Sequence, residues 1–208
     1  MKEFIKGWGR VCLGSLAGAA LGAHAKAWAT DTTAVGTRAK AGSENGTEGI
    51  GATAVGRNAT ANSNQSIALG YNANALHVKS IALGYNSNAS GANSIASGTN
   101  SIASGTSAIA IGQSSNTNST NALAIGVSAK AKASGTIAIG TSSQANVGNA
   151  IALGYSAKAT NTASIAIGEK AQASGQGIAI GRNSNSAASN ALAIGYQSNA
   201  IASNAIAI

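Results

Sequence analysis

Side chains capable of acid–base, nucleophilic or metal chemistry are few and scattered along this chain. Beyond residue 30 the one histidine is His77, and the acids are Asp31, Glu44, Glu48 and Glu169. None of them recurs in step with another, whereas paired catalytic groups must lie within hydrogen-bond reach. The single cysteine, Cys12, leaves no Cys or His cluster for a metal. We therefore expect no enzyme activity, no metal and no cofactor.

The strands and turns that would position a surface site are predicted from a short sequence repeat. A glycine recurs every 14 residues from Gly56 onward, with one step of 13 and an extra copy at Gly105. A fixed short period is typical of a solenoid, in which each repeat stacks on the next. Glycine suits a turn that needs a positive φ. We assign this turn role to Gly70, Gly84, Gly98, Gly112, Gly126, Gly140, Gly154, Gly168, Gly181 and Gly195.

Two alternations of residue size within each repeat predict two strands. Counting from the glycine as position 0, position −2 is always alanine, while −3 and −1 are mostly Ile, Leu or Val. Positions +3 and +5 are small, and +2 and +4 are polar. A period of two is typical of strands. Two strands of about five residues and two tight turns make up one repeat, so we predict an all-β parallel β-roll of 14-residue coils.

The alanine column at position −2 indicates a homo-oligomer under either of two assignments. If positions −3 and −1 fill the coil, the alanines point outward and mark a surface packed closely against a sister chain. If the alanines fill the coil, the aliphatic residues form an exposed stripe that also needs a partner. The sequence does not choose between them. Under the first assignment the interface alanines are Ala68, Ala82, Ala124, Ala138, Ala152, Ala166 and Ala193.

The first 29 residues have the layout of a signal peptide. A short basic start precedes a small-residue apolar run, residues 11–23, which is too short to span a bilayer. Two A-x-A cleavage sites follow, so we predict an exported mature chain that begins at Trp28 or Thr30.

The rest of the chain divides into an irregular and a regular part. Residues 30–55 are predicted to hold an inserted loop or an irregular cap, because Gly36 and Gly56 are 20 residues apart. Residues 56–208 are predicted to form about eleven regular coils. The sequence stops one residue before the next expected glycine, from which we expect either a fragment or a truncated reading frame.

A signal peptide followed by units such as SIALGYNANA and NALAIGYQSNA resembles the head of the YadA-like trimeric autotransporter adhesins, from about Thr33 to Ile208. The resemblance implies a left-handed parallel β-roll and a tight homotrimer. It also implies a location at the bacterial cell surface, attached to the outer membrane through a C-terminal anchor absent from this chain. The implied function is non-enzymatic adhesion to host cells or to a matrix protein such as collagen.

The resemblance also suggests ligand contacts. The family consensus NSVAIGxxS, tied to collagen binding, has its nearest matches at residues 93–101 and 190–198, with Ser97 and Ala191 as departures. The residues matched are Asn93, Ser94, Ser101, Asn190 and Ser198. Further candidate surface contacts are Tyr71, Tyr85, Tyr155, Tyr196, Lys130 and Lys158. The alternative roles are structural, since tyrosines at position +1 can shield coil edges and lysines can keep a β surface soluble.

Two other functions fit a repetitive surface. The chain could be a purely structural or autoagglutinating secreted rod, with contacts only to itself. It could also be an ice-binding solenoid, although positions +2 and +4 mix Asn, Ser, Lys and Gln where a regular threonine ladder is expected. No feature indicates a nucleic-acid partner.

Overall fold

The fold is known from a computed structural model, which describes residues 18–44 and 48–208. The contacts divide the chain into two units, one ending at Ser104 and one beginning at Gly105. Each unit is a stack of parallel coils with two strands per coil and about 14 residues per coil. The predicted parallel β-solenoid is confirmed, while its left hand remains what the resemblance implies. Within the described ranges, no helix is long and apolar enough to cross a membrane.

The first unit contains two parallel sheets. The strands that precede the turn glycines form its aliphatic sheet, which consists of β1 (Ala19–Leu21), β3 (Thr33–Val35), β5 (Thr53–Val55), β7 (Ile67–Leu69), β9 (Ile81–Leu83) and β11 (Ile95–Ser97). The strands that follow the glycines form its polar sheet, which consists of β2 (Lys26–Ala27), β4 (Lys40–Ala41), β6 (Thr60–Ala61), β8 (Asn74–Ala75), β10 (Asn88–Ala89) and β12 (Ile102–Ala103). Pairing is in register with the repeat, so that Ala68 lies beside Ala82.

The second unit repeats this arrangement. Its aliphatic sheet consists of β13 (Ile109–Ile111), β15 (Leu123–Ile125), β17 (Ile137–Ile139), β19 (Ile151–Leu153), β21 (Ile165–Ile167), β23 (Ile178–Ile180), β25 (Leu192–Ile194) and β27 (Ile206–Ala207). Its polar sheet consists of β14 (Asn116–Thr117), β16 (Lys130–Ala131), β18 (Gln144–Ala145), β20 (Lys158–Ala159), β22 (Gln172–Ala173), β24 (Asn185–Ser186) and β26 (Asn199–Ala200). Like residues again stack, as Ile137 does on Ile151.

The strands are shorter than the predicted five residues because each of the two turns contains a left-handed residue. These residues stand at positions +2 and −5, seven apart, with φ between 53° and 61° where they are not glycine. Asn, the commonest among them, tolerates this conformation better than most residues. Hydrogen bonds between coils continue through the turns, as from Asn86 N–H to Tyr71 O at 2.9 Å. The backbone is therefore bonded around the whole coil.

The interior of each coil holds only small side chains. Positions −4, −2, +3 and +5 are Ala, Ser or Thr, except for Gly18 and Gly177 at position −4, and alanines at these positions are fully or almost fully buried in both units apart from the two terminal coils. The alanine column at −2 lies inside, so the assignment of Ala68, Ala82, Ala124, Ala138, Ala152, Ala166 and Ala193 to an intermolecular contact is wrong. The aliphatic residues at −3 and −1 point outward instead, because four short side chains already fill the narrow coil. The second of the two assignments is the one observed.

Buried hydroxyl groups are satisfied at the turns. At position −4, Ser94 Oγ donates to Gly91 O at 2.7 Å, and at position +3, Ser101 Oγ donates to Gly98 O at 2.9 Å. The same pattern recurs in the second unit, for example at Thr136 and Ser143. A buried polar group costs little when it is hydrogen-bonded, so serine and alanine are interchangeable in this core. Position −4 was not recognised as interior from the sequence.

The turn glycines are required by the stacking as well as by φ. Gly126 has φ +131°, and a Cβ there would lie 2.6 Å from the carbonyl oxygen of Gly140 in the next coil. Real Cβ atoms do not approach a backbone atom this closely. The turn role of these glycines therefore has two physical causes, the positive φ and, at Gly126 and most of its equivalents, the close approach of successive coils.

The single 13-residue step is accommodated inside the coil. Gly177 occupies position −4, and the Oγ of Ser186 lies where its Cβ would be. Ser186 Oγ donates to Ala191 O at 2.8 Å and remains fully buried. In the shorter coil, the hydroxyl group of Ser186 from the next coil thus fills the space that a side-chain methyl group would occupy at position −4.

The N-terminal part shows a coil that overlaps the predicted signal peptide. β1 and β2 pair with β3 and β4 in the register of the repeat. The basic start and the first half of the apolar run lie outside the described residues. The six extra residues of the 20-residue step lie in the loop between β4 and β5, where Asn64 Oδ1 accepts hydrogen bonds from Gly49 N–H at 2.7 Å and Ile50 N–H at 3.0 Å. Cleavage before Trp28 or Thr30, which stays a prediction, would leave β3 and β4 as the first edge.

We predict that Gly126→Ala lowers the free energy of unfolding by about 2 kcal/mol or more, because strained φ and the collision with Gly140 act together. The matched control is Gly148→Ala, whose added Cβ has its nearest contact 3.8 Å away at Ser134 O. Thermal unfolding of both variants at one protein concentration measures the difference. Equal midpoints for the two variants would contradict the stacking argument.

Candidate functional site

The outer face of the aliphatic sheet is an apolar surface in each unit. In the first unit it presents residues such as Ile67, Leu69 and Ile81, and in the second unit residues such as Ile111 and Ile137. Leu69 is 38% exposed and Ile111 is 39% exposed, while most of the others are half-buried. A continuous aliphatic stripe of this kind on a water-exposed β surface marks an interaction site.

The outer face of the polar sheet in the first unit is lined by side-chain amides. A shallow groove of about 620 Å³ is lined by Asn58, Asn72, Asn74, Leu76, Asn86, Asn88, Asn100 and Ile102. Asn74 Nδ2 donates to the carbonyl oxygen of Asn72 at 2.8 Å, so some of these amides serve the turn. The lining of this groove is neutral and rich in hydrogen-bond donors and acceptors, while Lys26 and Lys40 lie on other strands of the same sheet.

The corresponding face in the second unit is cationic. A groove of about 450 Å³ is lined by Ser142, Gln144, Ser156, Lys158, Lys170, Gln172 and Asn183. Lys130 lies on β16, which pairs with β18 next to this groove. Lys130, Lys158 and Lys170 are all exposed. The two predicted contact lysines, Lys130 and Lys158, therefore lie on one sheet face, and the turn residue Lys170 lines the same groove as Lys158.

The tyrosines at position +1 form a partial column at the turn. In the first unit the rings of Tyr71 and Tyr85 stack with centroids 5.2 Å apart and an interplanar angle of 8°, and Arg57 lies 5.6 Å from the Tyr71 centroid. In the second unit Arg182 lies 4.5 Å from the Tyr196 centroid. All four rings remain exposed, from 37% for Tyr71 to 60% for Tyr196. Because the rings of Tyr71 and Tyr85 stack on each other between successive coils, the structure favours the structural role, in which they cover the coil edges, over a role in ligand contact.

The residues of the predicted ligand motif do not form one surface. Ser94 and Ser101 are fully buried, and both hydroxyls donate to carbonyl oxygens of their own turns. The prediction that these two serines contact a ligand directly is therefore wrong, because positions −4 and +3 of the repeat face the interior of the coil. Asn93 and Asn190 are exposed left-handed turn residues, and Ser198 is half-buried with its hydroxyl 3.2 Å from Gly195 O.

The acids and the histidine do not converge on a reactive centre. His77 is exposed, its Nδ1 accepts a hydrogen bond from Val78 N–H at 3.0 Å, and its carbonyl accepts one from Ser80 Oγ at 2.6 Å. Glu48 shares a shallow cavity of about 340 Å³ with His77. Among residues 18–44 and 48–208, no three His, Cys, Asp or Glu side chains lie close enough to hold a metal ion.

The chain matches the model of a known protein family and is similar to a solved structure. The family model of the YadA head domain repeat matches residues 18–39, 48–73, 78–101, 103–129, 118–143, 131–157, 148–171, 159–184, 176–198 and 186–208. The crystal structure of the collagen-binding domain of the Yersinia adhesin YadA is 28% identical, over 76% of this chain and 69% of that chain, with a TM-score of 0.42. No curated protein matches the chain.

We predict that Tyr85→Ala lowers the free energy of unfolding by about 1 kcal/mol, because it removes the stacked partner of Tyr71. Tyr155→Ala is the matched control, since positions +1 in its neighbouring coils are Thr141 and Glu169 and offer no ring. Denaturant unfolding of the two variants measures the effect. A larger loss in Tyr155→Ala than in Tyr85→Ala would show that stacking between coils is not the role of these rings.

Proposed function

The chain belongs to the YadA head repeat family, and from that premise we propose that it is the non-enzymatic head of a bacterial surface adhesin, exported and assembled as a homotrimer. The observation that supports this most strongly is the division of each unit into two outer faces. One face is aliphatic and the other is polar. An adhesin head needs one surface for assembly and another for its ligand.

The aliphatic face supports assembly. Its Ile, Leu and Val side chains are on the outside of a coil whose interior holds only small residues. Burying apolar surface contributes about 25 cal/mol per Å², and the aliphatic stripe supplies partly exposed apolar surface in each coil. A second and a third copy of the chain supply the burial that the small-residue core lacks.

The polar faces and turns support ligand binding. They repeat every coil, so an extended partner meets the same class of donors and acceptors many times. Trimer formation through the aliphatic faces leaves these surfaces accessible and multiplies them by three. We propose a matrix protein such as collagen as one ligand, an inference from the family, with Asn93 and Asn190 rather than the buried serines among its exposed contacts.

We predict that Ile139→Ser with Ile167→Ser shifts the trimer towards monomer by at least about tenfold in dissociation constant, because two apolar contacts per chain are lost at the interface. Serine already stands at position −1 in Ser97, so the coil tolerates it. Gln144→Ser with Gln172→Ser on the polar sheet is the control and should leave assembly unchanged. Sedimentation equilibrium measures the mass, and a trimer insensitive to the first pair and weakened by the second would reverse the proposed geometry.

Solid-phase binding of the purified assembly to collagen, fibronectin and laminin tests the adhesive role. We expect saturable binding to at least one of them, which weakens in the Ile139→Ser, Ile167→Ser variant because avidity falls with the trimer. Serum albumin is the negative control. Saturable binding to none of the three would overturn the adhesive proposal and leave a structural surface rod.

A further inference from the structure

The name basic groove is used for the groove lined by Lys158, Lys170, Ser142, Gln144, Ser156, Gln172 and Asn183 together with Lys130 on the adjoining strand β16. We infer that this groove, on the polar sheet of the second unit, binds a linear sulfated polysaccharide. This inference rests on the proposed adhesive function and names a ligand class for it. The collagen-related motif plays no part in it.

All charged residues of the basic groove are positively charged. The second unit contains four lysines and one arginine against a single acid, Glu169. Glu169 Oε1 lies 3.6 Å from Lys170 Nζ at an exposed position, with 44% and 57% of the two side chains accessible. An exposed pair of this kind is weak, so Lys170 keeps most of its capacity for an outside anion. Lys130 and Lys158 face the amide side chain of Gln144 across paired strands, with no acid between them.

The spacing of the charges favours a polymer over a small anion. Lys130 and Lys158 lie on strands two steps apart, β16 and β20, with β18 between them. Because neighbouring strands are about 4.8 Å apart, their backbones are separated by about 10 Å. One phosphate or sulfate ion does not contact both ammonium groups along this line without drawing them together. A straight chain carrying anionic groups at intervals meets them in turn.

The residues between the lysines suit a sugar backbone. Ser142, Ser156, Gln144 and Gln172 line the groove with hydroxyl and amide groups that bond to hydroxyls and sulfate oxygens alike. No aromatic side chain lines it, whereas proteins that hold single-stranded nucleic acid rely on aromatic stacking platforms. Lysine ammonium groups act as point charges that do not demand a planar partner. These features favour a sulfated glycan over a nucleic acid.

The same repeat positions in the first unit give an internal comparison. There the groove is lined by six asparagines, Leu76 and Ile102, with no cation. Both grooves lie on the outer face of a polar sheet of the same fold, but only the groove of the second unit is lined by charged residues. Binding of a sulfated chain should therefore depend on the substituents at positions +2 and +4 and not on the coil itself.

The test uses heparin as the sulfated probe and measures binding of the full assembly by calorimetry or biosensor. Lys130→Gln with Lys158→Gln removes two charges from the groove, and glutamine already occupies this repeat position at Gln144 and Gln172. Lys79→Gln with Lys132→Gln removes the same charge from exposed turns, and glutamine occupies the position of Lys79 in Gln65. Circular dichroism and sedimentation confirm that both variants fold and assemble.

We expect heparin to bind the wild type, to bind about tenfold more weakly to the groove variant, and to bind the control variant within about twofold of wild type. Binding should weaken with added salt. Hyaluronan, which carries carboxylates and no sulfate, should bind less tightly than heparin, and dextran should not bind.

Four results would overturn the inference. They are no heparin binding by the wild type, equal losses in the two variants, tighter binding of hyaluronan than of heparin, and tighter binding of single-stranded DNA than of heparin. The matrix-protein assay run in parallel separates this inference from the proposed function. Binding to a matrix protein without binding to heparin would contradict only the inference. Binding to neither would contradict both the inference and the proposed function.

Discussion

The constraint on which this structure depends is the width of the coil. Two short strands and two tight turns enclose a space that accepts alanine, serine and threonine and nothing larger among the described coils. The larger aliphatic residues are consequently on the outside, where an ordinary sheet would place polar ones. We propose that association of several chains completes the hydrophobic burial that this interior lacks, so that the free energy of assembly also stabilises the fold. Closer stacking of the coils does not supply this burial, because successive backbones are already in contact at the turn glycines.

Function follows from what the coil leaves free. The interior is restricted to small residues, and in our proposal the aliphatic face packs against another copy, which leaves positions +1, +2 and +4 and the turns free to vary. In the first unit these positions carry asparagine and stacked tyrosine, and in the second they carry lysine, serine and glutamine. The repeat therefore acts as a uniform frame on which the chemistry of the polar face changes along the chain without any change of fold.

Much of this frame was predictable from the sequence. The 14-residue spacing gave the parallel solenoid, and the size alternation gave two strands per coil. The direction of the alternation was not predictable, because a period of two says which residues share a face and not which face is inside. Ser94 and Ser101 illustrate the difficulty, since polar residues in a ligand-like motif proved to be core residues bonded to their own turns. The left-handed residue at position −5 was also missed, because Asn, Ser, Lys and Ala share that place.

Thiol labelling at three neighbouring positions tests the inside-out core most directly. In a Cys12→Ser background, single cysteines replace Ala138, Ile139 and Gln144, and their reaction rates with a maleimide are compared under native conditions. The account predicts that Ala138→Cys is unreactive at every concentration and Gln144→Cys is always reactive. Ile139→Cys should react only on dilution to the monomer. Rapid labelling of Ala138→Cys together with protection of Ile139→Cys in the monomer would contradict the account.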